Sequence, residues 1–317
     1  MIMLRSVCAE CGNDMDVKNV SLTARDGKVT VLLGPSGSGK SALCDIICGV
    51  TTAMSGNVLI DGCDIEKDPI EAKRRIGYMP QDPAVFRDMT IRGQLRFIGQ
   101  AREVSARALG EQVEKIIKQT KLEEVANTPI RLLPEAYLQR VGIAQALMGE
   151  IPNIVLDAPS KPLDAKQTLE LRAIIKEACA GRTVLVASDN LTEAAALGDD
   201  VYVLYEGAIA GHTTMDRLAE MEADFGETLI DIVGEQAQAA NCIKETGLHA
   251  EVVDERDGIV AIKVETGAGI EGKKAVSAAF AKAGLPIVGM RPARADIGKI
   301  ILQLANEPFA AEGAEAE

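Results

Sequence analysis

Residues 29–50 of the chain read VTVLLGPSGSGKSALCDIICGV, and this stretch decides the fold. The apolar run that ends at Leu33 is typical of a buried strand, and the spacing of apolar residues from Ser41 to about Gly49 predicts a helix. The residues between them match the pattern G-x-x-x-x-G-K-[ST], which binds nucleotide phosphates when it connects a strand to a helix. They are Gly34, Pro35, Ser36, Gly37, Ser38, Gly39, Lys40 and Ser41.

Each part of this loop has a chemical reason. Glycines let backbone N–H groups converge on phosphate oxygens, and the helix N-terminus adds positive potential. Lys40 is expected to reach the β- and γ-phosphates, and the Ser41 hydroxyl to coordinate Mg²⁺. A second magnesium ligand, an acidic residue, is expected at the end of a buried strand, and Asp157 follows the run NIVL. The sequence therefore predicts a magnesium–nucleotide site.

Strands and helices alternate over residues 17–215. A strand, a turn and a strand are predicted at 17–33, a mostly helical stretch at about 90–121, and a helix from about Pro134. Further buried strands are predicted in the runs NVLIDG, NIVLDAP, RTVLVASD and DVYVLYEG. This alternation predicts an α/β fold with a mainly parallel sheet covered on both faces.

The composition changes after Met215. The order of segments predicts a second unit of type βαββαβ, a small α+β ferredoxin-like domain. The expected division is a nucleotide-binding domain at 1–215, a helical linker at 216–226, the small domain at 227–305 and a disordered acidic tail at 306–317. The run IGKIILQLAN near the end is a candidate packing helix.

Composition excludes several classes of protein. The net charge is −13, and the chain has four Tyr, five Phe and no Trp, so we expect no nucleic-acid partner. No apolar run is long enough to span a membrane, and the N-terminus does not resemble a secretory signal, so a cytoplasmic location is expected. Seven cysteines suit reduced thiols, and the CxxC spacing of Cys8 and Cys11 is not followed by a second pair typical of zinc sites.

Five ordered segments of the sequence resemble the ATP-binding subunits of ABC transporters over about residues 1–212. They are GPSGSGKSAL, RRIGYMPQDPAVF, LPEAYLQRVGIAQAL, IVLDAPSKPLD and VLVASDNLTEAAAL. The resemblance implies the ABC-type P-loop NTPase fold, ATP and Mg²⁺ as ligands, and Gln81 as a residue that contacts Mg²⁺ and senses the γ-phosphate. It also implies a multispan membrane permease subunit and a second ATP-binding subunit as partners. The C-terminal region is similar to the accessory domain of exporter-type members.

The sequence departs from the family at the positions that hydrolyse ATP. Ala158 stands where the family has a catalytic Glu, and it can neither orient nor deprotonate water. Asp189 replaces the switch His, which places an acid near the γ-phosphate. No catalytic residue is therefore expected to be intact.

The segments that complete the site from a partner also differ. Leu133-Pro134-Glu135-Ala136 replaces the signature Leu-Ser-Gly-Gly, which removes a hydroxyl and an N–H and adds a repulsive carboxylate. Pro162 occupies a usual Gly of the D-loop, and Cys11 a usual adenine-stacking Tyr. Since the first aromatic residue is Tyr78, weak and poorly base-selective ATP binding is expected.

Three hypotheses follow. The first is a hydrolysis-impaired ATP-binding subunit of an ABC-type exporter, peripheral on the inner face of the cell membrane, which docks on its permease through the surface near residues 81–107. The second is a nucleotide-sensing regulatory module that transports nothing. The third is an independent ATPase in which Asp189 replaces the missing base. Homodimer and heterodimer both remain open, as do effector binding and simple packing for the small domain.

Overall fold

The computed structural model describes residues 1–10, 16–161, 163–218, 227–234, 236–256, 258–267 and 270–292. Within them the chain divides into two compact units, and the division falls between Met215 and Asp216. Among the described residues, no helix is long and apolar enough to cross a membrane. Most of the predicted linker, the run IGKIILQLAN and the predicted tail lie outside the described residues, as do Cys11 and Pro162.

A six-stranded sheet forms the centre of the first unit, in the order β10-β9-β3-β8-β7-β6. All neighbours pair in parallel except β9 and β10, which are antiparallel. The mainly parallel sheet is thus confirmed. Its strands are β3 (Val29–Leu33), β6 (Ile76–Met79), β7 (Asn153–Asp157), β8 (Thr183–Ser188), β9 (Asp200–Tyr205) and β10 (Ala208–Thr214). Every residue of β7 and β8 is buried, which explains the apolar runs in the middle of both strands.

A second, antiparallel sheet has the order β2-β1-β4-β5, and the sequence did not predict it as a separate layer. Its strands are β1 (Ile2–Ala9), β2 (Val17–Ala24), β4 (Ser55–Ile60) and β5 (Cys63–Asp64). One buried core joins the two sheets, since Ile2 and Leu4 of β1 belong to the same apolar cluster as Leu32 and Val155.

Seven helices complete the described part of the first unit: α1 (Lys40–Ile47), α2 (Pro69–Arg74), α3 (Ile91–Ala101), α4 (Ala106–Gln119), α5 (Glu135–Leu147), α6 (Ala165–Ala178) and α7 (Leu191–Leu197). Their starts follow local chemistry. Thr90 caps α3 by accepting from the N–H of Gly93, and Asp164 and Gln167 form a reciprocal capping box on α6. Helix α1 instead begins directly after Gly39, with no side-chain cap.

The second unit has the predicted element order βαββαβ. Its elements are β11 (Glu227–Val233), α8 (Gln236–Thr246), β12 (Ala250–Arg256), β13 (Ile259–Glu265), α9 (Glu271–Lys282) and β14 (Ile287–Pro292). The strands form an antiparallel sheet in the order β12-β13-β11-β14. Alternate residues of β11 and β13, such as Ile230 and Ile262, pack with Phe280 of α9 in a separate core.

Candidate functional site

Four parallel strands end at the same edge of the six-stranded sheet, and the candidate site lies there. The phosphate-type loop follows β3, Gln81 lies two residues after β6, Ala158 follows β7 and Asp189 follows β8. In open α/β sheets, ligands bind beyond the carboxyl ends of the strands, because loops from neighbouring strands converge there. The sheet therefore brings together segments that are far apart in the sequence.

The loop from Gly34 to Gly39 requires glycine at defined points. A Cβ added at Gly34 would lie 2.2 Å from the carbonyl oxygen of Leu204, a contact that backbone atoms cannot relieve cheaply. Gly37 and Gly39 have φ of 80° and 99°, in the left-handed region that favours glycine. The loop is tied to β8 by the N–H of Gly34, which donates to Ser188 O at 3.2 Å. These constraints match a loop whose backbone curves around an anion.

A cavity of about 270 Å³ opens beside this loop. Its lining includes nine of the residues that the sequence singled out: Ser36, Gly37, Gly39, Lys40, Ser41, Gln81, Asp157, Ala158 and Asp189. Ala42 and Lys161 complete the lining. Gly34, Pro35 and Ser38 are not part of the lining, but they contact Lys40.

Lys40 is held against its own loop. Its Nζ donates to the carbonyl oxygens of Gly34 and Pro35 at 2.9 and 2.8 Å, and lies 3.4 Å from Ser38 Oγ. Burial lowers the pKa of Lys40, while the charges of Asp189 and Asp157 oppose this effect. An anion in the cavity would replace carbonyl dipoles with a full negative charge, so Lys40 is a suitable phosphate ligand.

The predicted magnesium ligands lie together. Ser41 and Asp157 both line the cavity, and Asp157 is only 2% exposed. Burial raises the pKa of Asp157, and the hydrogen bond from Ser41 partly offsets the rise. The hydroxyl, the carboxylate and the Gln81 amide line one cavity, and Mg²⁺ prefers such oxygen ligands.

The number of protein ligands also fits Mg²⁺. Among the described residues, no group of three or more His, Cys, Asp or Glu side chains is placed to hold a metal. Mg²⁺ usually takes only one or two carboxylates and completes its shell with water and phosphate oxygens. The donor set around Asp157 fits a magnesium ion that arrives with a nucleotide.

The residue after Asp157 carries only a methyl group into the cavity. Ala158 is 8% exposed and has φ of 45°, a left-handed conformation that is unusual for alanine. Its N–H donates to Ala187 O at 2.9 Å, which fixes its position next to β8. The position expected to hold a base therefore lies at the site and has no proton-accepting group.

A buried carboxylate lies near Ala158, and the sequence did not single it out. Glu193 is 3% exposed, and its two oxygens accept from Ser188 Oγ at 2.6 Å and from Ser160 Oγ. Burial raises its pKa, and the hydrogen bond from Ser188 opposes the rise. Through these two hydrogen bonds, Glu193 of α7 links the segment after β7 to the end of β8.

Aromatic side chains are missing from the cavity lining. Tyr78, the first aromatic residue of the sequence, donates its hydroxyl to Asp45 Oδ1 at 2.8 Å, and burial raises its pKa. His212 stacks on Tyr202 with ring centroids 4.2 Å apart and does not line the cavity. No described aromatic ring is therefore placed to stack on a base at this site.

The segment that replaces the family signature lies outside the cavity lining. Pro134 precedes α5, and Glu135 occupies its first turn. Both residues are exposed, and the helix start has no side-chain cap. The N-terminus of α5 is thus open to another molecule, with a carboxylate in front of it.

An exposed apolar surface lies between β6 and α5. Phe86 and Phe97 are 53% and 45% exposed and pack edge to face, with ring centroids 5.3 Å apart. Met89 and Leu132 are also exposed, and the N–H of Phe86 is held by the side chain of Gln94 at 2.8 Å. Three of these four apolar residues fall inside the predicted docking segment 81–107. Large apolar groups exposed side by side are typical of a protein-binding surface.

Residues 17–161 match the family model described as ABC transporter. The lipopolysaccharide export system ATP-binding protein LptB of Escherichia coli is 29% identical over 210 residues, which are 65% of this chain and 87% of that protein. The sulfate/thiosulfate import ATP-binding protein CysA of Synechocystis is 32% identical over 224 residues, 70% of this chain and 63% of that protein. The similarity to rat ATP-binding cassette sub-family A member 17 covers only 11% of the rat protein.

Solved structures agree with these relatives. A dimeric ATP-binding cassette bound to ADP and Pi in a post-hydrolysis state superposes with a TM-score of 0.61 at 25% identity, and 68% of this chain and 99% of that chain are covered. The ATP-binding subunit of an ABC transporter has a TM-score of 0.62 at 20% identity, with 70% and 92% covered, which bears on the fold alone. The predicted ABC-type P-loop fold is confirmed.

Proposed function

We propose that the chain, whose residues 17–161 match the family model described as ABC transporter, is the ATP-binding subunit of an ABC-type membrane exporter, impaired in hydrolysis. One observation carries the proposal: the cavity keeps Lys40, Ser41 and Asp157 beside an alanine at position 158. Export rather than import is supported by the relative whose length the chain covers at 87%, an export-system protein.

We assign the ligand as Mg-ATP. The loop backbone and Lys40 would hold the phosphates, Ser41, Gln81 and Asp157 would provide oxygen ligands for Mg²⁺, and the ion would supply positive charge that offsets the charge of the phosphates. The absence of an aromatic lining supports weak selection of the base, since stacking contributes about 1–3 kcal/mol per base.

Hydrolysis by this site is proposed to be slow. A methyl group at Ala158 accepts no proton, and Asp189 adds negative charge to a cavity that receives a polyphosphate. Glu193 does not line the cavity that holds Lys40, and its carboxylate is held by Ser188 and Ser160, so we do not assign it the role of the base. Binding without efficient turnover is the expected behaviour of the isolated chain.

The partners follow from the same features. In the family, two ATP-binding domains enclose ATP between the loop of one and the signature of the other. A second copy of this chain would bring Pro134 and Glu135 to that position, so we propose pairing with a second subunit that has intact motifs. The surface of Phe86, Met89 and Phe97 is proposed to dock on a multispan permease subunit at the inner face of the membrane.

The proposed domain division is 1–215 for the ATP-binding domain, 216–226 for the linker, 227–305 for the accessory domain and 306–317 for the tail. The second unit has its own core around Ile230 and Phe280, which supports an independently packed domain.

Affinity purification and nucleotide binding together test this function. We expect the full chain to bind Mg-ATP, to hydrolyse it slowly alone, and to co-purify with a membrane subunit. Substitution of Phe86 and Phe97 by serine should release the membrane subunit without changing ATP affinity. Co-purification with a soluble partner alone would favour the nucleotide-sensing module, and no ATP binding would refute both functions.

A further inference from the structure

Lys161 is a cationic residue of the cavity that no motif of the sequence identified. It lines the cavity together with Lys40, Ala158 and Asp189, and its Nζ lies 3.5 Å from Gln81 Oε1. It also lines a second cavity of about 330 Å³, which shares Ala158 and Asp189 with the first. Lys161, in the segment that follows β7, therefore lies beside the segments that follow β6 and β8.

A fixed turn directs the chain at Lys161. Ala158 takes its left-handed conformation, and the N–H of Lys161 donates to Ala158 O at 3.1 Å. Ser160, in the middle of this turn, is 9% exposed and donates its hydroxyl to Glu193. The backbone that leads into Lys161 is thus held by a residue in a left-handed conformation and by a buried hydrogen bond, as is common where a side chain serves a ligand.

The charges of the cavity lining explain why this cation matters. Lys40 and Lys161 balance Asp157 and Asp189, and without Lys161 the lining would be net negative before any phosphate enters. The charge of Lys161 acts on both Lys40 and Asp157. Lys161 lines the same cavity as Lys40 and the residues that would hold Mg²⁺, so its cation would be available to the phosphate that lies farthest from the loop.

We propose that Lys161 is a second phosphate-binding lysine, which contacts the terminal phosphate of a nucleoside triphosphate from within the same chain and makes the cavity prefer triphosphate to diphosphate. This inference rests on the proposed binding of ATP. It assigns the charge compensation for Asp189 to a residue of the turn after β7. An ATP complex of the single chain then keeps a cation at the γ-phosphate without help from a partner.

Calorimetric titration of the full chain with Mg-ATP and Mg-ADP tests the proposal. Lys161→Ala should weaken Mg-ATP binding about tenfold to a hundredfold, the usual range for one charge-assisted hydrogen bond, and change Mg-ADP binding less than about twofold. Lys161→Arg should recover most of the ATP affinity. Lys166→Ala is the matched control, because Lys166 is an exposed lysine of α6 outside the cavity lining, and it should change neither affinity.

The outcomes separate this inference from the proposed function. Equal losses for ATP and ADP, or no loss for either, in a protein whose unmodified form binds Mg-ATP, would overturn the role of Lys161 and leave the ATP-binding function intact. No Mg-ATP binding by the unmodified chain would overturn both. Thermal unfolding of each variant shows that a loss of affinity is not a loss of fold, and Lys161 is exposed enough for its replacement to be tolerated.

Discussion

The substitution Ala158→Glu should restore ATP hydrolysis if the missing base is the main defect. Ala158 lines the cavity, and its left-handed backbone is equally strained for any L-residue other than the few that favour this region. The new carboxylate would lie in the cavity lining beside Asp157 and Asp189, where it would be placed to accept a proton from the attacking water.

The size of the gain can be worked from these surroundings. A positioned base contributes about 10²–10⁴-fold, or about 3–5 kcal/mol of barrier. Asp189 stays in place of the switch His, and Pro134 and Glu135 still weaken any clamp from a second copy. We therefore expect a gain at or below the lower limit of that range, about tenfold to a hundredfold.

Phosphate release is the measurement, on the chain alone and with the subunits that co-purify with it. Ala158→Gln is the control, because glutamine has nearly the same shape and accepts no proton at neutral pH. Mg-ATP affinity is measured in parallel, so that a change in turnover is not confused with a change in binding. A glutamate variant no faster than the glutamine variant, even with the partner present, would refute the view that Ala158 limits the reaction.

Three further predictions concern binding and stability. Lys40→Ala should weaken Mg-ATP binding by about 1.5–3 kcal/mol in calorimetric titration, because its ammonium is the buried cation of the loop. Gly34→Ala should lower the free energy of unfolding by about 1–3 kcal/mol, since its Cβ meets Leu204 O at 2.2 Å, whereas Gly110→Ala in the open interior of α4 should raise it by about 0.5–1 kcal/mol in urea denaturation. Because burial raises the pKa of Glu193, the folded state retains a proton that the unfolded chain releases, so the free energy of unfolding should fall as pH rises from the unfolded pKa through the folded one. Glu193→Gln should flatten that part of the pH profile, and an unchanged slope would contradict the assignment.

The phosphate loop could be predicted from the sequence because its constraints are local. Glycine at Gly37 and Gly39 is required by the backbone conformation, and the buried strand before the loop is almost wholly apolar. Asp157 was also predictable, because it directly ends a fully buried strand. These features depend only on neighbouring residues in the sequence, so they can be predicted without knowledge of the tertiary structure.

Strand β1 was not predictable in the same way. Its buried positions run Ile2, Leu4 and then Val7, and the alternation changes phase at Ser6, which has φ of 50°. A bulge there interrupts the pairing between Leu4 and Val7. An apolar alternation that changes phase in the middle of eight residues does not predict a strand, and only the pairing with β2 and β4 identifies it as one.

Lys161 and Glu193 escaped prediction because their roles depend on distant contacts. In sequence, Lys161 is a lysine in a loop, which is usually solvated, and only the turn at Ala158 brings it beside Gln81. Glu193 belongs to a short helix, and its burial depends on Ser160, 33 positions earlier in the chain. No local pattern distinguishes these two charges from ordinary surface residues.

The hydrogen bonds of Glu193 join two segments that would otherwise report on the ligand separately. Ser160 belongs to the turn that carries Lys161, and Ser188 precedes Asp189, so a displacement of either segment pulls on the same carboxylate. The carboxylate of Glu193 therefore couples the position of the turn that carries Lys161 to that of the segment that carries Asp189. We expect a triphosphate that displaces the turn at Lys161 to shift Asp189 as well, because both segments are hydrogen-bonded to one side chain.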